Sequence, residues 1–339
     1  MGLVCWLPSL IILVLAVIFH QVVLPSTWTP LSAGDELYGG IAHFYDHSTS
    51  IWEKVWGEHL HAGWYSEGED VSSWTQENHT EAQVRMMEQL LELWPWGVPD
   101  KSRLRVLDMG CGLGGSSRFL YRNLSALGVH VEVIGITLSP WQQERATAIT
   151  NHSKDIPKGE VTFQVANALS TGFAAQSFDI IWSLESAEHF PTKDLWLREV
   201  HRLLVPGGTL LCATWCHRET AEKPLWDSEK VLLGRISKNY MLPDWVPLSE
   251  YGRLSNTLGF VGFEASQRSW TVNVIPFWRA VIWSALRPST LLRVLVALPF
   301  GGWTLIKGAI TALLMMQGFQ EGTLNLGVFS VKKPKKKSK

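Results

Sequence analysis

VLDMGCGLGGSS, residues 106–117, is the stretch of sequence that decides the fold. An apolar run that enters closely spaced glycines predicts a strand, a tight turn and a helix, because glycine accepts backbone angles that a Cβ forbids. The first N–H groups of such a helix are free to bind a polar ligand. We therefore predict a cofactor site formed by Asp108, Gly110, Cys111, Gly112 and Gly114.

Strands and helices are predicted to alternate on both sides of this motif. Apolar runs predict strands at 104–109, 131–136, 161–165, 178–184, 209–215, 259–265 and 324–331. Apolar residues at helical spacing predict helices at 78–93, 115–127, 140–150, 193–204 and 226–240. The expected fold is therefore of the α/β class, a Rossmann-like, mostly parallel sheet of seven strands with helices on both faces.

The end of the second predicted strand indicates which cofactor is bound. Dinucleotide enzymes place an acid there for the ribose hydroxyls, but this sequence has none between Gly135 and Gln142. Thr137, Ser139 and Gln142 are expected to make those hydrogen bonds instead, beside Leu138. The missing acid argues against an NAD oxidoreductase, and the spacing of the glycine motif is similar to that of S-adenosylmethionine-dependent methyltransferases.

Two further strand ends are expected to border the same site. Asn167 and Ala168 follow the third strand and are predicted to meet the adenine edge of the cofactor. SLESAEHFP, residues 183–191, begins at Ser183 and lies at the carboxyl end of a central strand. Open α/β sheets bind their ligands at that edge, so Ser183 is included in the predicted cofactor site.

The chain resembles the gamma-tocopherol methyltransferase family of class I S-adenosylmethionine-dependent methyltransferases. The matching strings are FYDHSTSIWEKVWGEHLHAGWY (44–65), VLDMGCGLGGSSRFL (106–120), GITLSPWQQERA (135–146) and SFDIIWSLESAEHFPTK (177–193). The glycine motif is shared by many methyltransferases, whereas WGEHLHAGWY and SLESAEH are specific to this group. The likeness extends across about residues 41–330.

The resemblance implies transfer of a methyl group from S-adenosylmethionine, which becomes S-adenosylhomocysteine, to a ring carbon of a prenylated phenol. The implied acceptor is gamma- or delta-tocopherol, in vitamin E biosynthesis, and Tyr45 is implied to contact the carboxylate of the cofactor. Ala62, Ala187 and Phe190 stand where the family usually has His, Gly and Met, so they bear on substrate identity. A methyl-phytyl-benzoquinol, a sterol or an alkaloid amine stays open as acceptor, and a non-catalytic membrane-bound scaffold is the alternative from another class.

One histidine is predicted to act as the catalytic base. His189 is expected to remove the phenol proton, because imidazole titrates near neutral pH and this residue follows a strand end. Glu185 or Glu188 is expected to orient the imidazole ring or raise its pKa. The alternative is that His189 only packs against the cofactor or bonds to it, since approximation alone sustains methyl transfer.

A second polar cluster precedes the predicted core. Glu58, His59 and His61 are expected to bind the phenol or to close over the cofactor. We expect no metal there, because the two histidines are two residues apart and share a face only in a strand.

The remaining segments predict a membrane-associated enzyme. Residues 1–24 contain an apolar run long enough to span a bilayer, which we interpret as a retained anchor, with a signal peptide as the alternative. The apolar insertion at 276–318 predicts a hydrophobic lid or an interfacial helix pair. We expect the partners to be a lipid bilayer and a lipophilic small molecule, in a plastid or thylakoid-type membrane or, alternatively, the ER membrane. A net charge of −1 gives no reason to expect nucleic acid.

The predicted domain organisation follows from these segments. In chain order it comprises the anchor at 1–24, a linker (25–40) that opens an N-terminal cap ending at 77, the cofactor-binding core at 78–217, the C-terminal part of the core at 218–331 and a basic tail at 332–339.

Overall fold

A seven-stranded sheet lies at the centre of the computed structural model, which describes residues 34–71, 73–94, 101–286 and 303–335. The strands are β1 (Arg103–Met109), β2 (His130–Thr137), β3 (Val161–Val165), β4 (Phe178–Leu184), β5 (Leu204–His217), β6 (Arg268–Ser269) and β7 (Leu324–Lys332). Their order is β3-β2-β1-β4-β5-β7-β6. The first five strands are parallel, and β7 pairs antiparallel with both β5 and β6. The predicted α/β class and seven-stranded sheet are confirmed.

Ten helices accompany this sheet within the described residues. They are α1 (Asp35–Trp56), α2 (Gln76–Glu92), α3 (Gly115–Ser125), α4 (Pro140–Asn151), α5 (Lys193–Leu203), α6 (Asp227–Tyr240), α7 (Leu248–Thr257), α8 (Phe263–Ser266), α9 (Thr271–Leu286) and α10 (Trp303–Gln320). A single 3₁₀ turn, Ala187–His189, follows β4.

Helices bury both faces of the sheet. Successive side chains of a strand point to opposite faces, so neighbouring residues belong to different apolar clusters. In β1, Val106 belongs to one apolar cluster, which includes residues of α2 and α3, whereas Leu107 belongs to another, which includes residues of α5 and α7. In β4, Trp182 and Ile181 divide in the same way. Since parallel strands need cover on both faces, the prediction of helices on both sides of the sheet is confirmed.

The prediction of a linker up to residue 40 is wrong for the described part of that segment. Helix α1 begins at Asp35, and its residues Leu37 and Ile41 are buried one helical turn apart. Gly39 and Gly40 lie between them and gave the segment the composition of a linker. The apolar spacing outweighs the cost of two helical glycines because the helix packs against the fold.

The predicted strand at 259–265 is also wrong. Gly259 and Gly262 adopt positive φ angles of 81° and 96°, in the left-handed region that extended strands do not use. The chain then forms the short helix α8, and the sixth strand is displaced to Arg268–Ser269. The backbone conformation of two glycines therefore interrupts an apolar run that has the composition of a strand.

The apolar insertion overlaps α9 and α10, which pack together, and α10 also packs against α6. Phe277 and Trp278 of α9 and Met315 and Phe319 of α10 are buried in the same cluster. None of the helices in the described ranges combines the length and the apolar character needed to cross a membrane. The predicted anchor at 1–24, the middle of the insertion at 287–302 and the end of the basic tail at 336–339 lie outside the described residues.

Candidate active site

The glycine turn after β1 is shaped by close contact with the end of β4. Gly110 has a positive φ of 82°, and a Cβ added there would lie 2.3 Å from Cβ of Ser186. The Ser186 hydroxyl donates a hydrogen bond to the carbonyl of Met109 at 2.6 Å. Only glycine therefore lets the β1 turn approach β4 this closely, and the backbone of the turn is left facing a cavity.

This cavity, which we call the cofactor cavity, has a volume of about 970 Å³ and lies at the carboxyl ends of the parallel strands. It is lined by most of the residues predicted to hold a cofactor: Tyr45, Gly110, Cys111, Gly112, Thr137, Leu138, Ser139, Gln142, Asn167 and Ala168. All five residues predicted to be catalytic line it as well: Glu58, His59, His61, Glu185 and His189. The structure thus brings together side chains from both halves of the described chain.

Three residues predicted for the cofactor site do not line the cavity. The buried carboxylate of Asp108 accepts a hydrogen bond from the Ser117 hydroxyl at 2.6 Å, and burial raises its pKa to about 7. Gly114 starts α3 with a φ of 76°. The Ser183 hydroxyl is 2.8 Å from that of Ser186. These residues hold the turn and the neighbouring strand in place beneath the cavity.

Polar side chains at the end of β2 connect the cofactor cavity to α1. The Thr137 hydroxyl donates to Oε1 of Gln142 at 2.7 Å, and Nε2 of Gln142 donates to the hydroxyl of Thr49 at 3.0 Å. The Ser139 hydroxyl is hydrogen-bonded to the Asp46 carboxylate and caps α4 by accepting from the Gln142 amide at 3.0 Å. The strand end itself therefore carries hydroxyl and amide groups where a dinucleotide enzyme has an acid, and the carboxylate bonded to Ser139 comes from α1.

A second cavity, the aromatic cavity, lies beside the first and has a volume of about 640 Å³. Its apolar lining consists mainly of rings contributed by α1, β5, α6 and α9: Trp52, Trp56, Trp215, Tyr240, Phe277 and Trp278. Such a lining suits a flat apolar ligand from which water is excluded. The sequence predictions did not assign Trp215 or Tyr240 to the site, although Trp215 is the last residue of the strand predicted at 209–215, and a strand end is a signal for a site residue in this fold.

The two cavities share one wall, formed by Tyr45, His59, Leu60, His61, Glu185 and His189. Within this wall, Oη of Tyr45 lies 2.8 Å from Nε2 of His189. The wall is assembled from α1, from the segment after it and from the end of β4. A group bound in one cavity would therefore face a group bound in the other across these side chains.

The three imidazoles of the wall are neutral at neutral pH. Burial lowers the pKa of His59 to about 4, and it lowers the pKa of His61 and of His189 to about 3. Burial and the charges of Glu188 and Glu185 raise the pKa of Tyr45. Because so weakly basic an imidazole is poorly matched to a phenol, the low pKa does not favour the base role predicted for His189, which stays a prediction.

Glu185 is the acidic side chain of the wall and is held at both oxygens. Oε1 accepts a hydrogen bond from the Ala62 amide, and Oε2 accepts one from Nε1 of Trp215, each at 2.9 Å. Its backbone has a φ of 48°, an uncommon conformation for a residue other than glycine and one that is concentrated at functional sites. Burial and the charge of Glu188 raise the pKa of Glu185 to about 8.

Glu58 lines the cofactor cavity and is also held by an arginine, while its predicted role toward the phenol or the cofactor stays a prediction. Its carboxylate pairs with the guanidinium of Arg118, a buried side chain of α3. Arg118 also donates to the carbonyl of Leu113 at 2.9 Å and to the hydroxyl of Thr150 at 3.0 Å. Glu58 therefore fastens the segment after α1 onto the glycine turn. Among the residues that the structure describes, no group of three or more His, Cys, Asp or Glu side chains is arranged to hold a metal ion.

Comparisons with known proteins are consistent with this geometry. A family model described as a methyltransferase domain matches residues 107–212. A protein of Oryza sativa subsp. japonica, named probable tocopherol O-methyltransferase, chloroplastic, is 39% identical over 87% of this chain and 78% of its own. Tocopherol O-methyltransferase, chloroplastic, of Arabidopsis thaliana is 38% identical over 88% of this chain and 83% of its own. A solved structure of geranyl diphosphate methyltransferase, with 18% identity and a TM-score of 0.68, covers 88% of this chain and 99% of its own and has the same fold.

Proposed function

Because the chain belongs to the tocopherol O-methyltransferase family and is an S-adenosylmethionine-dependent methyltransferase, we propose that it methylates a ring carbon of a prenylated phenol. Gamma- and delta-tocopherol are the proposed acceptors, in vitamin E biosynthesis. The observation that carries this proposal is the wall between the cofactor cavity and the aromatic cavity, which contributes five titratable side chains to both: Tyr45, His59, His61, Glu185 and His189.

The cofactor cavity fits S-adenosylmethionine. The turn at Gly110 leaves no room for a Cβ and exposes backbone, Thr137 and Ser139 offer hydrogen-bonding groups, and Asn167 adds an amide. When bound, S-adenosylmethionine supplies an electrophilic sulfonium methyl group. The protein's own contribution is to orient the acceptor, exclude water and make its ring more nucleophilic.

The aromatic cavity fits the ring of the proposed acceptor. Trp56 and Trp278 are buried, and the rings of Phe277 and Trp278 have centroids 5.6 Å apart at an angle of 82°. Packed rings of this kind hold a planar ligand in one orientation and keep water away from it. Glu185 and His189 face this cavity from the wall and form its polar end, where a hydroxyl group of the acceptor would bind.

We propose further that the enzyme acts at a plastid membrane. The names of the two relatives include the word chloroplastic. The apolar run at 9–24 would hold the chain at a lipid surface, so that the prenyl tail of the acceptor stays in the lipid during the reaction. Deleting residues 1–25 should then lower turnover on long-chain acceptors more than on short-chain ones. An equal effect on both would contradict the proposed membrane role.

A second candidate acceptor is an alkaloid amine. Aromatic rings around a carboxylate recognise cationic ammonium groups, and Trp215, Tyr240 and Glu185 line one cavity. This observation favours an amine, but an ammonium group would have to pair with a carboxyl whose pKa burial and the charge of Glu188 raise to about 8, whereas a phenol needs no charge on that carboxyl to bind.

A competition assay tests the proposed function. The full-length protein is incubated with labelled S-adenosylmethionine and an equimolar mixture of tocopherols, quinols, sterols and amines, and the labelled products are separated. Label in gamma- or delta-tocopherol supports the proposal. Label confined to amines contradicts it, and Gly110→Ala serves as the control for background transfer because a Cβ there collides with Ser186.

A further inference from the structure

We propose that Glu185 is the catalytic base, that it takes the phenol proton of the acceptor, and that His189 instead positions Tyr45. This inference rests on the proposed function, because it requires an acceptor that carries a hydroxyl group. It assigns the proton to a carboxylate at the end of β4 rather than to the imidazole four residues later.

The position of Glu185 supports this role. It borders both the cofactor cavity and the aromatic cavity, and it is the acid among the residues of their shared wall. Glu188, the neighbouring acid, lines neither of these cavities, and its Oε2 accepts a hydrogen bond from the hydroxyl of Thr214 at 2.9 Å. Of the two acids after β4, Glu185 alone therefore faces the place where an acceptor ring would lie.

The hydrogen bonds of Glu185 leave it ready to accept one more proton donor. Each carboxylate oxygen carries two lone pairs, and one N–H group, from Ala62 or from Trp215, occupies one lone pair on each. The remaining lone pairs accept an O–H donor. The two N–H donors also fix the plane of the carboxylate. The carboxylate therefore does not have to rotate to accept a hydrogen bond from a hydroxyl that enters the aromatic cavity.

The imidazoles of the wall are less suited than Glu185 to take the phenol proton, because they have hydrogen-bond partners or a pKa far below that of a phenol. Nε2 of His189 is hydrogen-bonded to Tyr45, and the two rings meet edge to face with centroids 5.5 Å apart. Nδ1 of His61 is 2.9 Å from the carbonyl of Ala62. The pKa of Glu185, raised to about 8, is closer to that of a phenol than the pKa of any imidazole in the wall.

Methyl transfer to the ring begins with loss of the phenol proton and ends when the ring is aromatic again. Glu185 takes the proton of the phenol, and the electron pair of the O–H bond stays on the oxygen and enters the ring. The ortho carbon bonds to the methyl carbon as the bond from methyl carbon to sulfur breaks. The neutral dienone formed in this way becomes aromatic after it leaves the cavity, when that ring carbon loses its proton to solvent and the oxygen takes one from solvent, and Glu185 releases the first proton to solvent. One proton is released in total.

Several titratable groups influence Glu185, and they set the pH at which it works. Those that face it or act on it through charge are Tyr45 of α1, His59 and His61 of the following segment, Glu188 and His189 of the 3₁₀ turn, Tyr240 of α6 and, next to Glu188, Lys193 of α5. A bound sulfonium cation lowers the pKa of Glu185. The loaded enzyme should therefore show an activity that falls as the pH decreases, with a midpoint at or below about 8.

The test compares Glu185→Gln with Glu188→Gln and His189→Asn in the full-length protein. On gamma-tocopherol, Glu185→Gln should lower kcat by about 10²-fold or more and abolish the acid limb of kcat/KM. Glu188→Gln should keep the limb but move it to lower pH, because the negative charge that raises the pKa of Glu185 is gone. Calorimetry with S-adenosylmethionine reports whether each variant keeps its cofactor site.

An acceptor that needs no base separates a catalytic role from a structural one. On a ring-fluorinated chromanol that is already ionised at the assay pH, kcat of Glu185→Gln should be less than about tenfold below that of the wild type. No proton has to be removed from this acceptor. Equal losses on both acceptors, or an acid limb that persists in Glu185→Gln and disappears in His189→Asn, would overturn the assignment. If the wild-type protein methylates no phenol at all, the proposed function fails, and that result is distinguishable from a failure of Glu185 alone.

Discussion

The hydroxyl of Tyr45 and Nε2 of His189 are 2.8 Å apart, although 144 residues separate them in the sequence. This hydrogen bond joins α1 to the 3₁₀ turn after β4 across the wall shared by the two cavities. Resemblance to related methyltransferases implies a cofactor contact for Tyr45, and the structure adds a second contact at the same hydroxyl. The position of α1 is therefore coupled to the position of His189.

A double-mutant cycle measures this coupling. Tyr45→Phe and His189→Leu should each lower the free energy of unfolding by about 1–3 kcal/mol, because each removes the hydrogen bond between the two side chains. The double mutant should be more stable than the sum of the single losses by about 1 kcal/mol. Urea unfolding measures all four proteins, and strictly additive losses would show that the hydrogen bond contributes nothing to stability.

Gly110→Ala should weaken cofactor binding, whereas Gly128→Ala should not. Both glycines have a φ near 80°, so each alanine should cost about 1–2 kcal/mol of stability from backbone conformation alone. A Cβ at Gly110 would also collide with Ser186, while a Cβ at Gly128 meets open space. The affinity for S-adenosylmethionine, measured by calorimetry, should fall at least about tenfold in Gly110→Ala only. Equal affinities in the two variants would contradict the proposal that the cofactor binds against the glycine turn.

Trp278→Leu should weaken binding of the acceptor and leave binding of the cofactor unchanged. Trp278 is 4% exposed and lines the aromatic cavity, whereas Trp283 on the same helix is 70% exposed. Loss of ring contacts should raise KM for the acceptor by about threefold to tenfold. Trp283→Leu is the matched control. It should leave KM for the acceptor and the affinity for the cofactor within about twofold of the wild type. A larger effect of Trp283→Leu would place the acceptor elsewhere.

Acid should destabilise the protein through an ion pair outside the active site. The Arg218 guanidinium donates two hydrogen bonds of 2.7 Å to Glu229 and lowers the pKa of that carboxyl from its ordinary value of 4.5 to about 2. The resulting stability is complete above pH 4.5 and is lost as the pH falls toward 2. Glu229→Gln should therefore show a smaller decrease in unfolding free energy between these pH values than the wild type. Parallel curves would contradict this.

Much of the fold is predictable from local patterns. The strand that ends at Met109 and the glycine turn after it could be predicted because backbone conformation there depends on residues within a few positions. The sixth strand could not, since left-handed angles at Gly259 and Gly262 decide against an extended conformation that apolar composition favours. Helix α1 was hidden because Gly39 and Gly40 have the composition of a linker and only tertiary packing makes the helix stable.

The candidate site divides in the same way. Residues at strand ends, such as Thr137 and Asn167, could be assigned to the cofactor cavity because parallel topology puts strand ends at one edge. The aromatic cavity could not be assembled, because Trp52, Trp215 and Trp278 come from distant segments that no local pattern connects. The pKa values of the wall likewise depend on burial, which only the folded chain determines.

The most direct test of the central claim is to locate the transferred methyl group. The full-length protein is incubated with gamma-tocopherol and with S-adenosylmethionine that carries an isotopically labelled methyl group, and the product is analysed by NMR. We predict that the label is bonded to a ring carbon ortho to the hydroxyl group. A label on the phenol oxygen, or no labelled phenol while an amine in the same mixture is labelled, would contradict the account.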